Sequence, residues 1–100
     1  MAKKKQNLTI KQIAKIAVPI LKKNGVTKAG IFGSYARGEA KKRSDIDMLI
    51  KFKGRKSYFD LLDLEEELQN RLKRKIDLIT YKSVHPYLKG YIYKDEVKIL

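Results

Sequence analysis

Two short apolar runs, each bounded at one end by residues of special chemistry, constrain this chain more than any other feature. Ala29-Gly30-Ile31-Phe32 ends abruptly at Gly33-Ser34, and after ten intervening residues Asp45-Ile46-Asp47 opens a second run that continues to Phe52. A Gly-Ser turn lets backbone amides approach an anion closely, because Gly33 has no side chain in the way. A short helix expected over Gly33 to Glu39 would add its own free amides and the positive end of its dipole. On a strand, Asp45, Asp47 and Leu49 share one face, while Ile46, Met48 and Ile50 share the other. Two hard oxygen donors beside a phosphate cradle form the kind of site at which Mg²⁺ holds a nucleoside triphosphate.

The rest of the chain supplies a scaffold for these two strands. Met1 to Asn7 reads as a basic, mobile tail, and residues 8–100 as a single domain. Thr9 followed by Gln12 forms the pattern of a capping box. Ile10, Ile13, Ala14, Ala17, Ile20 and Leu21 then recur at helical spacing. Pro19 inside that pattern is expected to kink or divide the helix, and Asn24-Gly25 to end it. Val26 to Phe32 is the first strand, Ala40 to Ser44 a basic loop, and Asp45 to Phe52 the second strand. Ser57 caps a long helix to Lys73, whose buried stripe is Leu61, Leu64, Leu68 and Leu72. Its acidic residues, with Arg71, read as a solvated face. Lys75 to Tyr81 is the third strand. Asp77 there points away from the side chains of Ile76 and Leu78, either into water from an edge strand or into a site beside Asp45 and Asp47. Pro86 starts a last helix, and Tyr81, Tyr87, Tyr91 and Tyr93 read as core and rim packing. His85 is the one histidine and has no ligand set around it in sequence.

Composition excludes several classes. There is no cysteine, so no disulfide, zinc thiolate or cysteine nucleophile exists. No apolar run approaches the length of a membrane span, and no signal core follows the basic start, so a cytoplasmic protein is expected. The net charge of +13 favours anionic partners: nucleotides, nucleic acid or an acidic protein.

Gly-Ser-Tyr-Ala-Arg-Gly-Glu followed by Ser-Asp-Ile-Asp resembles the signature of the polymerase-beta-like nucleotidyltransferase superfamily. Within it, the chain is most similar to the minimal nucleotidyltransferases, the MNT proteins, commonly encoded as antitoxins beside HEPN-domain proteins. The resemblance implies an α/β (α+β) fold, a small mixed three-stranded sheet with flanking helices. It implies nucleotidyl transfer, with Asp45, Asp47 and Asp77 as catalytic and metal-binding residues for two Mg²⁺ ions. It places Gly33, Ser34 and Arg37 at the phosphates of ATP. The acceptor domain of longer relatives has no counterpart after Asp77, so the acceptor site is expected on a partner. The implied reaction is AMP transfer from ATP to a tyrosine of a HEPN ribonuclease toxin. Alternatives are an idle antitoxin that only binds, a transferase acting on a small molecule or RNA end, and a basic nucleic-acid-binding module. Nucleic-acid binding is otherwise expected to be weak and non-specific.

Overall fold

The computed structural model describes residues 8–40 and 45–100, without the side chains of Leu88, Tyr91 and Tyr93. The basic tail and most of the basic loop before Asp45 lie outside the described residues. Helix α1, Ile10–Lys23, begins at the expected capping box: Thr9 Oγ1 accepts from the Gln12 amide at 3.1 Å, and Gln12 Oε1 from the Thr9 amide at 2.9 Å. The helix runs past Pro19 without dividing. Asn24 closes it, and Gly25, at φ +81°, turns the chain into β1, Val26–Phe32.

Strand β2, Ile46–Phe52, pairs antiparallel with β1, and β3, Ile76–Thr80, pairs parallel with β2. The crossover between them is α2, Tyr58–Leu72, capped by Ser57 with Asp60 answering from the third helical position. After a 3₁₀ turn at Tyr81–Ser83, α3 runs over Pro86–Asp95. The expected three-stranded sheet has a fourth member: β4, Val97–Lys98, pairs antiparallel with β1 and gives the order β3-β2-β1-β4. Two residues carry too little pattern to read as a strand, and the pairing is made by the sheet edge that receives them.

Both long helices cover one face. Ile13, Ala17, Ile20 and Leu21 of α1 and Leu64, Leu68 and Leu72 of α2 bury against Ala29, Ile31, Ile46, Met48, Ile50, Ile76 and Leu78. Period-two alternation therefore sends Gly30, Phe32, Asp47, Leu49 and Asp77 to the opposite face. Leu49 is nonetheless fully buried, and the 3₁₀ turn lies against β2.

The acidic face of α2 is not simply solvated. Glu65 accepts from the Leu78 amide at 3.1 Å and Gln69 from the Ile76 amide at 3.0 Å, so α2 satisfies the outer donors of edge strand β3. Glu67 pairs with Lys23 at 2.8 Å and ties α2 to α1. Tyr87 is also no packing residue: it stands 85% exposed, with His85 stacked on it at 5.2 Å between ring centroids.

Candidate active site

The turn that follows β1 is the first component. It is not the expected short helix. Arg37 N–H donates to Gly33 C=O at 3.1 Å and Glu39 N–H to Ser34 C=O at 2.8 Å, but Gly38, at φ +74°, stops any helix from propagating. Tyr35, 5% exposed, packs into the main core and anchors the turn from beneath. The amides of Ser34, Tyr35 and Ala36 have no hydrogen-bond partner among the described residues. Free amides on a tight, anchored turn form an anion cradle.

Two separate features favour glycine at position 33. Its φ of +74° is a left-handed value, and a Cβ built on it would collide with the carboxylate of Asp47. The turn and the second strand thus meet at the point where the first glycine touches the second acid.

Register brings the carboxylates together. Asp47 on β2 lies beside Phe32 on one side and Asp77 on the other. Neighbouring residues in a sheet share a face, so both acids stand on the side away from the helices. The Asp47 and Asp77 carboxyl groups are close enough to influence each other's charge, and Asp45 adds negative charge from just before the strand. Burial raises the Asp47 pKa to about 6, and the charges of Asp77 and Asp45 push the same way; Arg37 opposes them. Asp77 is exposed on the edge strand, next to Asp47 across the strand pair, and is not among the residues that line the groove.

Arg37 sits where the turn meets the groove. Its Nε donates to Glu39 at 2.9 Å and its Nη1 to Asp95 of α3 at 3.5 Å, which holds its pKa above the usual arginine value. The groove has a volume of about 770 Å³ and is lined by Phe32, Gly33, Ser34, Arg37, Asp45 and Asp47, with Ile92, Lys94 and Asp95 opposite them in sequence on α3. Sequence reasoning missed the three residues of α3. Gly90 and scattered tyrosines leave that helix no clear face, and only tertiary packing brings its end to the groove.

Residues 11–100 match the family described as polymerase beta, nucleotidyltransferase. The chain belongs to that family. It is 46% identical over 93 residues to a protein of Methanocaldococcus jannaschii provisionally named as a protein adenylyltransferase, covering 93% of this chain and all of that one (100%). Its fold is that of a crystal structure of a toxin–antitoxin with AMP-PNP, with a TM-score of 0.78 at 20% identity over 87% of this chain and 72% of that one. A chain in the structure of a tri-AMPylated Shewanella oneidensis HEPN toxin in complex with MNT antitoxin has the same fold, with a TM-score of 0.72 at 17% identity over 90% of this chain and 71% of that one.

Among the described residues of this nucleotidyltransferase, no group of three His, Cys, Asp or Glu side chains forms a ready-made metal ligand set. The donor chemistry at Asp45, Asp47 and Asp77 still fits a hard divalent cation. All the donors are carboxylate oxygens, and a cation would offset both the burial and the neighbouring negative charges that raise the Asp47 pKa.

Proposed function

We propose that this chain is an Mg²⁺-dependent protein adenylyltransferase that transfers AMP from ATP to a tyrosine hydroxyl of a HEPN-domain toxin, and so acts as an antitoxin. The observation that carries the reading is the register of β2 and β3, with Asp47 and Asp77 side by side where the Gly33 turn begins. The relative named as a protein adenylyltransferase supports the reaction class. The tri-AMPylated HEPN toxin bound to an MNT antitoxin supports the acceptor.

In this reading Gly33, Ser34 and the free amides of the turn bind the outer phosphates, and Arg37 neutralises charge there. Asp45, Asp47 and Asp77 would hold two Mg²⁺ ions; bound there, the metal lowers the pKa of the acceptor and offsets phosphate charge. The tyrosine oxygen attacks the α-phosphorus in line. The bond between that phosphorus and its bridging oxygen breaks, and pyrophosphate leaves with the electron pair. Asp77, the more exposed carboxylate, takes the phenolic proton. The protein contributes position and charge rather than a covalent intermediate.

Incubation with α-labelled ATP and Mg²⁺, with and without a cognate HEPN protein, tests this. Label is expected on the partner only when both proteins are present. Asp45→Ala, Asp47→Ala and Asp77→Ala should each lower transfer by about a hundredfold or more. Ser34→Ala should cost less, about tenfold, because Gly33 and the backbone donors remain. Label on RNA or on a small molecule instead would replace the acceptor and keep the chemistry.

A further inference from the structure

Lys94 and Asp95 line the groove from α3, yet the reaction above uses neither. We infer that Lys94 is the second cation of the triphosphate site, binding the outer phosphates directly, and that Asp95 positions the Arg37 guanidinium for the same ligand. The inference rests on the nucleotidyl-transfer reading and extends it to an element outside the motif.

Charge balance makes the case for Lys94. Among the described residues lining the groove, the cations are Arg37 and Lys94, and the anions are Asp45, Asp47 and Asp95. Arg37 is already committed to two carboxylates, Glu39 and Asp95. Lys94 is exposed and has no ion pair or hydrogen bond among the described residues. A triphosphate brings several negative charges, more than one shared guanidinium can offset. Lys94 is the groove cation whose charge is uncommitted.

Its placement is built rather than incidental. Two residues further on, the Glu96 side chain lies across Gly30 and meets the Tyr81 hydroxyl. A Cβ at Gly30 would lie only 2.6 Å from Glu96 Cγ, so the absence of a side chain there is what admits this contact. The contact fastens the chain just after Lys94 and Asp95 to β1 and to the 3₁₀ turn that follows β3. Asp95 and Glu39 meanwhile take Nη1 and Nε of Arg37, which leaves Nη2 unclaimed among the described residues. A guanidinium gripped on two nitrogens has lost much of its rotational freedom before ligand arrives.

Isothermal titration with ATP and with AMP, each with Mg²⁺, separates the possibilities. Lys94→Ala should weaken ATP about tenfold and leave AMP within about twofold, because AMP lacks the outer phosphates. Lys94→Arg should recover most of the loss, and both variants should melt with the wild type, the side chain being exposed. Asp95→Asn should weaken ATP about threefold alone and add nothing on an Arg37→Ala background. Equal effects of Lys94→Ala on ATP and AMP, or none on either, would overturn the role of Lys94 while leaving nucleotidyl transfer standing. Tighter ATP binding by Asp95→Asn would overturn the positioning role and make Asp95 a competitor for Arg37. A wild-type chain that binds no ATP would remove the transferase reading and this inference together.

Discussion

Asp47 meets two opposed demands: its strand position half-buries it beside another carboxyl group, and the metal-binding role proposed for it requires it to be charged. Its folded pKa of about 6 lies above the ordinary carboxylate value, so ionising it costs stability. In the metal-free protein that cost is absent below the unfolded pKa, grows as pH rises, and is complete above about 6. Asp47→Asn should therefore be more stable than wild type at pH 7.5, by about 1 kcal/mol after allowing for screening at a half-exposed group. The advantage should vanish near pH 4, as thermal melts across that range would reveal. Adding Mg²⁺ with ATP should reverse the order at pH 7.5, because only wild type keeps the full ligand set. Gly33→Ala combines a left-handed φ with a collision against Asp47. A loss of about 1–3 kcal/mol in denaturant unfolding is expected, along with ATP binding. Gly33, Ser34, Arg37, Asp45 and Asp47 were legible in sequence because they lie close together along the chain. Asp77 depended on the register of a parallel pair, which no local pattern encodes. Lys94 and Asp95 had no signal at all.

Elements were legible where caps and periodicity agreed. Thr9 with Gln12 and Ser57 with Asp60 set both long helices, and alternation set the three longer strands. The turn after β1 has one helix-like hydrogen bond, Arg37 to Gly33, but Gly38 follows at once with a left-handed φ, and no local pattern separates such a turn from a short helix. The polar face of α2 was misread because its role is tertiary: Glu65 and Gln69 complete the ladder of β3. Replacing Glu65 with Ala should leave the Leu78 amide without its partner and cost about 1–2 kcal/mol. Hydrogen exchange localised to Leu78 would check this. A uniform loss across the chain, with no local increase at β3, would mean that Glu65 serves the helix instead.

The whole molecule presents one face of sheet to two helices and the other to the groove, under a net charge of +13. No helix among the described residues is long and apolar enough to cross a membrane. That charge should attract nucleic acid weakly, with affinity falling steeply as salt rises. Filter binding should find it unaffected by Asp45→Ala, since the carboxylates have no part in it. Tight, sequence-selective binding would instead favour a nucleic-acid module. In the proposed reaction, carboxylates on β2 and β3 drive AMP transfer to a HEPN partner. Intact-mass spectrometry of that partner, purified after incubation with ATP, Mg²⁺ and either wild-type chain or Asp47→Ala, tests it most directly. Added AMP and a silenced ribonuclease are expected with wild type, and neither with Asp47→Ala. A partner silenced equally by both proteins, with no mass added by either, would show that binding alone is the function and contradict the account.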